Sequence, residues 1–550
     1  MKKLFTLLMM LGLCISVSAQ IAPDKYWIQF TDKNNSPYSV DRSEEFLSER
    51  SIQRRVDYGI AIDSYDIPVN PSYLQAVANC GAEILHPSKW LNGVTVIASS
   101  SSVIDAIEAL PFVQTTRTIE NDELKQMIKE KTYFSNETLK AVGAKSVQDN
   151  DYGMALPQIE QLNGVVLHER GYLGQGMWVG ICDGGYLDVD GHEVFADMRD
   201  NGRLLGTRDY VYKNGIVYTD SSHGTSCLSL MAGNVPGKYV GTAPLASYFL
   251  CRTEDVNSES LLEEYNWVSA AEFLDSLGVD VISTSLGYIT FDNSQFDHVY
   301  EDADGATCAI TIGSEIACSR GIMCVTSAGN EGGSDTYPYI SAPADGENVF
   351  TIGAVGANGN RAYFSSIGPT YDGRIKPDVM AHGYGVTVAS PGYDSYYEGS
   401  GTSFSGPVLA GMLTCFWQAN KHLKPEVIRE VLRQHSDRYS NPDNEYGYGI
   451  PDFAAALESL SIEENDDFVI KSLISIFPNP SDGEINVELD LEGKTMVKVY
   501  NQIGKLLYNN EIDDYKVAEF TSFLTGLNEG LYLINVIGEE KNQTIKYIKY

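Results

Sequence analysis

Between about residues 151 and 460, apolar runs of strand length alternate with stretches whose apolar side chains recur at helical spacing. Strand-like runs end at Cys182, Cys251, Ser285, Ser327 and Val355. One helical stretch follows His223 and stops at Gly233, and a second carries Leu261, Tyr265, Val268 and Ala271 on one face and stops at Gly278. A third begins near Ser403. Pro425 suits the start of a fourth, residues 425–432, because the first turn of a helix does not need its N–H. Repeated strand-then-helix order predicts an α/β domain, a parallel sheet with helices on both faces. Such sheets place their sites beyond the carboxyl ends of the strands, where Asp183, Ser285 and Asn330 fall.

The flanking segments have other patterns. Residues 20–120 alternate strands (26–30 and 93–98) with a helix capped by Ser102, on which Val103, Ile104, Ile107 and Leu110 share a face. This predicts a small α+β domain. Residues 121–150 are charged and amide-rich with weak periodicity, as in an exposed, cleavable linker. After an acidic linker at 461–470, residues 471–550 hold short alternating strands (484–489, 496–500 and 530–536) between turn residues, the pattern of a C-terminal β-sandwich. At the other end, Lys2 and Lys3 precede an apolar run from Leu4 to Val17, followed by the small residues Ser18 and Ala19. Residues 1–19 therefore read as a secretory signal peptide. No later apolar stretch is long enough to span a membrane, which takes about 18 residues.

Charge and cysteine content narrow the partners. With 74 acidic residues against 39 Lys plus Arg, the net charge is −35. Such a chain repels phosphate backbones and anionic lipid, so no nucleic-acid partner is expected. Glu254, Asp255, Glu259, Glu263 and Glu264 cluster near the expected site and read as a solvated helix face. Of nine cysteines, all but Cys14 follow the signal segment. Most sit in apolar runs, which predicts small buried thiols. Cys308 with Cys318 is the one candidate disulfide. No C-x-x-C or H-E-x-x-H spacing points to zinc, and no metal ligand is assigned.

Four residues carry candidate chemistry. A serine hydroxyl attacks an amide when a neighbouring base takes its proton and an anion holds that base. Asp183 closes the apolar run 177–182, His223 stands in H-G-T-S, and Ser403 in G-T-S-F-S-G-P. The order Asp, His, Ser differs from the Ser, Asp, His of α/β-hydrolases and the His, Asp, Ser of chymotrypsin-like enzymes. A serine at a helix start also aims its own N–H at the reacting centre, where the helix dipole favours an oxyanion. Asn330, in Ser-Ala-Gly-Asn-Glu-Gly, supplies a second donor through its side-chain amide.

These residues, together with the segments 241–244, 278–287, 364–369 and 372–378, make residues 151–460 resemble the subtilisin-like serine peptidases (subtilases). The resemblance implies an Asp183-His223-Ser403 triad with Asn330 in the oxyanion hole. It further implies that Ser285, Leu286 and Gly287 line the cleft and pair with an extended peptide, while Ser327, Ala328 and Gly329 wall the primary specificity pocket. No cofactor is implied for catalysis. Structural calcium is common in the family, but no oxygen-ligand loop is assigned to it here. Departures from the family pattern are Asp183-Gly-Gly, which loses a bracing hydroxyl, Ser226 for a usual histidine, Phe404-Ser-Gly-Pro407 for Met-Ala-Ala-Pro, and His382 for a usual proline.

Residues 20–120 resemble the family's inhibitory propeptide, which would make the chain's own N-terminal domain a partner. The C-terminal module resembles sorting domains of the type IX secretion system, on Phe477-Pro-Asn-Pro-Ser-Asp-Gly483, Gly530-Leu-Tyr532 and the basic end 546–550. Its machinery is then a second partner, and polypeptide substrates a third. The expectation is a secreted or cell-surface serine endopeptidase, monomeric and made as a pre-pro-enzyme. The alternative from another class is a surface adhesin or scaffold that keeps the fold without the activity.

Overall fold

The computed structural model describes residues 24–120, 140–141, 152–390, 395–462, 474–477, 481, 485–489, 495–501, 505–512, 516–537 and 542–549. The expected signal peptide, all but two residues of the 121–150 linker and most of the 461–470 linker lie outside these. Residues up to Ser459 form one compact unit and those from Leu460 another.

The first unit begins with β1 (Asp24–Phe30), α1 (Glu49–Asp57), α2 (Pro71–Asn79), β2 (Glu83–Ser88), β3 (Gly93–Ala98), α3 (Ser101–Glu108) and β4 (Val113–Glu120). The strands form an antiparallel sheet in the order β2-β3-β1-β4. The expected face of α3 packs on it, with Ile104 and Ile107 buried beside Ile28, Val94 and Val96. Its N-cap position is Ser100, not Ser102, which lies inside the helix.

The larger part follows as β5 (Lys140–Ala141), α4 (Leu156–Glu160), α5 (Val165–Glu169), β6 (Trp178–Asp183), α6 (Ala196–Asp200), β7 (Leu204–Asp209), α7 (His223–Ala232), the short pair β8 (Asn234–Val235) and β9 (Tyr239–Val240), and β10 (Ser247–Arg252). Then come α8 (Leu262–Leu277), β11 (Val281–Thr284), α9 (Ala309–Ser319), β12 (Met323–Ser327), β13 (Phe350–Gly356), β14 (Val379–Ser390), β15 (Ser395–Ser400), α10 (Thr402–Ala419), α11 (Pro425–Gln434) and α12 (Phe453–Ile462). One sheet runs β5-β15-β14-β13-β12-β11-β6-β10-β7. It is parallel from β14 to β7, and β15 and β5 join antiparallel at one edge. The α/β expectation is met, with strand ends within a residue of those read from the pattern.

Helix pairs cover the two faces. Side chains of α8 and α9 pack with Cys182, Cys251, Ile282 and Cys324, which share one face of adjacent strands. On the other face α7 and α10 pack together, and α10 is buried from Thr402 to Trp417. Its small residues permit that: a Cβ on Gly411 would lie 2.0 Å from Thr242 Oγ1. Cys308 precedes α9 and Cys318 is in its last turn. Ten residues of helix hold them about 15 Å apart, so the expected disulfide cannot form.

The N-terminal sheet docks on α8. Asp275, fully buried, is met by Arg54, by Arg55 at 3.0 Å and by Lys89 at 3.0 Å. Burial pushes this carboxyl up, but the three cations override it and hold it well below the usual carboxylate range. Glu272 accepts from the Lys89 and Trp90 N–H groups at 2.8 and 3.0 Å. Trp27 stacks on Tyr265 with ring centroids 4.7 Å apart.

In the second unit, β16 (Ile474–Phe477) pairs with β17 (Asn486–Leu489), and β18 (Thr495–Asn501), β19 (Leu506–Ile512), β20 (Gly530–Ile537) and β21 (Asn542–Lys549) form a second antiparallel sheet, β19-β18-β20-β21. An unforeseen helix, α13 (Val517–Thr525), adds Phe520 and Leu524 to the shared core of Val497, Val499, Ile534 and Tyr547. Its β-branched and aromatic content hid the i, i+4 spacing of Phe520 and Leu524.

Asp275→Ala leaves three cations without their carboxylate in a dry interface, a change that costs about 3–5 kcal/mol. In the full-length chain the urea midpoint is expected to fall accordingly. An unchanged midpoint would contradict the role given to Asp275.

Candidate active site

The parallel register brings the candidate residues to one end of the sheet. Asp183 is the last residue of β6, Ser285 follows β11, and Ser327 ends β12, on three neighbouring strands. Helices α7 and α10 begin there, with His223 first in α7 and Ser403 second in α10.

Asp183 and His223 are both buried, and both carboxylate oxygens lie 2.9 Å from His223 Nδ1. The Gly184 N–H donates to Asp183 Oδ1 at 2.7 Å. A backbone donor thus braces the carboxylate although Asp183-Gly-Gly lacks the family's hydroxyl. Gly224 permits the close approach. A Cβ on Gly224 would lie 2.5 Å from Gly185 O and 3.0 Å from Asp183 Cβ. Burial presses the imidazole towards its neutral form, but the adjacent Asp183 charge prevails and raises its pKa well above the ordinary histidine value.

Cys227, one turn into α7, ties the histidine to the serine. Its Sγ is 4.0 Å from His223 Nε2 and donates to Ser403 O at 3.3 Å. Burial pushes this thiol's pKa up, so it stays protonated near neutrality. Ser285 Oγ donates to the same carbonyl at 2.9 Å, and Ser403 Oγ donates to Ser285 O at 3.2 Å. The Ser403 N–H lies in the first turn of α10, where no helical carbonyl is available to it.

Asn330 is fixed by Thr402. Its Oδ1 accepts from the Thr402 N–H at 2.9 Å and the Thr402 hydroxyl at 3.0 Å. The carbonyl end of the amide is therefore committed, and Nδ2 is left as the donor end. Thr402 Oγ1 in turn accepts from the Gly329 N–H at 3.2 Å, and Ser327 Oγ donates to Thr402 O at 2.8 Å.

Two segments expected to line the cleft and pocket meet across a residue the sequence did not single out. Ser341 N–H donates to Ala328 O at 3.3 Å, and the Tyr288 N–H donates to Ala342 O at 3.0 Å. Ser341 thereby joins the segment Ser285, Leu286, Gly287 to the segment Ser327, Ala328, Gly329. A Cβ on Gly287 would lie 2.1 Å from Ser341 Oγ, and one on Gly329 would lie 3.0 Å away. The Ser341 hydroxyl is buried and unbonded. No motif or period marks Ser341 in the sequence.

The other departures from the family pattern are structural. Ser226 Oγ donates to Ala389 O at 3.3 Å, fastening α7 to β14. His382 is buried with Nε2 3.1 Å from Tyr384 O, and burial lowers its pKa, so it is neutral. The expectation of a solvated acidic face is corrected. Glu254, Glu263 and Glu264 are all buried, and they serve as acceptors. Glu263 takes the N–H groups of Asp255 and Ser260, Glu264 that of Ile310, and Glu254 the Tyr288 hydroxyl. Carboxylate oxygens of Glu254, Glu259 and Glu263 lie within 4.8 Å of one another. Such oxygens suit a hard cation, but Glu254 and Glu263 already accept hydrogen bonds within the protein, and no calcium ligand is assigned.

Family comparisons agree with this architecture. Residues 174–449, half of the chain, match the subtilase family model. Residues 25–135 match a peptidase S8 propeptide domain of Bacteroidota, and residues 475–550 a secretion system C-terminal sorting domain. Serine protease AprX of Bacillus subtilis is 29% identical over 316 residues, 52% of this chain and 67% of that protein. Subtilisin NAT of Bacillus subtilis subsp. natto is 28% identical over 312 residues, 56% of this chain and 73% of that protein. The chain belongs to the subtilase family. It is a serine endopeptidase with a propeptide domain and a sorting domain that directs it out of the cell, to the surface or the medium.

The His223 resonance is expected to titrate above pH 6.5 in an NMR experiment on the Ser403→Ala protein. Asp183→Asn should lower that pKa, because it removes the charge that favours the imidazolium. A His223 pKa at or below 6.5 in the Ser403→Ala protein would contradict the electrostatics described.

Proposed function

We propose that Ser403 is the nucleophile of peptide-bond hydrolysis, with His223 as its base and Asp183 as the anion that orients it. The observation that carries this is the buried Asp183 carboxylate at 2.9 Å from His223 Nδ1 beside the start of α10. With Nδ1 committed to Asp183, Nε2 is the ring nitrogen that serves Ser403 as its base. Rotation of the Ser403 hydroxyl away from Ser285 O lets Nε2 take its proton as Oγ attacks the scissile carbonyl. The resulting oxyanion lies between the Ser403 N–H and Asn330 Nδ2. His223, now an imidazolium held by Asp183, gives its proton to the leaving amine. Water then repeats the sequence on the acyl-enzyme. No step calls for a cofactor.

An extended substrate pairs its backbone with Ser285, Leu286 and Gly287. The side chain preceding the scissile bond enters between Gly287 and Ser327, Ala328 and Gly329, with Ser341 beneath it. Residues 20–120 act as an inhibitory propeptide that is released by cleavage in 121–150. Residues 151–460 form the peptidase domain. Residues 471–550 deliver a monomeric enzyme through a type IX secretion route.

Ser403→Ala and His223→Ala are each expected to lower kcat by on the order of 10⁶. Asn330→Ala removes one oxyanion donor, and kcat should fall about 10²–10³-fold, roughly 3–4 kcal/mol, with little change in KM. The base must be neutral to work, so kcat/KM should decline as pH drops through the raised His223 pKa, placing the acid limb above pH 6.5. Undiminished peptide hydrolysis by Ser403→Ala would contradict the mechanism, and a folded, processed wild type without activity would favour a scaffold.

A further inference from the structure

Cys318 and Cys324 are brought together by the way α9 ends. The helix closes with Gly321 in the left-handed region at φ 84°, its N–H donating to Cys318 O at 2.9 Å. The Ile322 N–H then reaches back to Ala317 O at 3.3 Å. This reversal sends the chain into β12 beneath the helix it has just left. Cys324 Sγ lies 3.8 Å from Ser314 O, and Cys318 sits one turn beyond Ser314 on the same face of α9. Both side chains join the same apolar cluster. The Cys318 thiol acts on that of Cys324 more strongly than burial does, and both effects push the Cys324 pKa up.

The two thiols differ in access. Cys324 is buried, while Cys318 is half-buried and lines a cavity of about 320 Å³ together with Tyr58, Ile60, Gly321, Asn348 and Arg429. A second close pair, Cys182 and Cys251, faces across β6 and β10 in register but has no exposed surface. No oxidant can reach that pair in the folded protein. The sorting domain sends the chain out of the cell, where disulfides persist.

We propose that Cys318 and Cys324 form a disulfide in the exported enzyme, stapling the last turn of α9 to β12. The oxidant is a disulfide of the extracytoplasmic space, either a small molecule or a thiol oxidase. The Cys318 thiolate attacks one sulfur of that disulfide, whose S–S bond breaks and releases a thiol. The Cys324 thiolate then attacks Cys318 Sγ in the mixed disulfide and displaces the second thiol. The two cysteines lose two protons and two electrons, and the oxidant gains them as two thiols. Because β12 runs on through Ser327 towards Asn330, the bond braces the strand that carries the amide donor.

Peptide mapping of the full-length exported protein tests this directly. The protein is unfolded in iodoacetamide without reductant and digested with trypsin, which cuts after Arg320, between the two cysteines. The expected result is a linked pair of peptides, one ending at Arg320 and one starting at Gly321, that separates on adding dithiothreitol. Cys308, which shares the peptide ending at Arg320 with Cys318, should carry the alkyl group on fragmentation of the linked pair, as should Cys182, Cys227, Cys251 and Cys415. Alkylation of both Cys318 and Cys324, or a link from either to any other cysteine, would overturn the proposal. In heat inactivation, dithiothreitol should shorten the half-life of the parent severalfold and leave that of Cys318→Ser unchanged. A parent indifferent to reductant would count against the bracing role.

Discussion

A carboxylate buried at the end of a central strand is costly unless donors surround it. Asp183 finds them in His223 Nδ1 and the Gly184 N–H, and the start of α7 adds the positive end of a helix dipole. The start of α7 must come close to the end of β6, and at Gly224 there is no room for a side chain between Asp183 and Gly185. Once the ion is held there, the position of α7 against the sheet is set. That in turn places Cys227 against Ser403 O and so positions the start of α10. The remaining donors of the site are arranged from that helix.

The second half of the site depends on Thr402. Its N–H and hydroxyl take the carbonyl end of the Asn330 side chain, and its hydroxyl oxygen holds the Gly329 N–H. One residue therefore orients the amide and positions the loop leaving β12 beside the serine. The N-terminal sheet approaches from elsewhere, on the far side of α8, where Asp275 gathers Arg54, Arg55 and Lys89. All three cations belong to the N-terminal sheet domain, so the buried charge on α8 is satisfied only while that domain is docked.

Most of this was legible in the sequence because the site is built at punctuation marks. Asp183 stands where an apolar strand ends, His223 and Ser403 where small-residue helices begin, and Asn330 before a glycine. Strand and helix limits around them were readable to within a residue. What could not be read were contacts made across the fold. Ser341 lies far along the chain from both segments it joins. The acidic run 254–264 looks solvated by composition, yet Glu263 and Glu264 turn inward to collect backbone N–H groups and Glu254 to take a tyrosine hydroxyl. Helix α1, which carries Arg54 and Arg55, earns its place by packing on another domain, and such packing has no local signature. The cysteine pairing failed for a geometric reason, since a helix separates Cys308 from Cys318 while a reversal at Gly321 brings Cys324 back to it.

Covalent capture of the nucleophile tests the central claim most directly. The processed wild-type enzyme would be incubated with a fluorophosphonate and digested, and the adduct located by mass spectrometry. The prediction is one adduct per molecule on Ser403, lost in His223→Ala because the hydroxyl then has no base. An active, folded enzyme that stays unlabelled at Ser403, or carries the adduct on another residue, would contradict it.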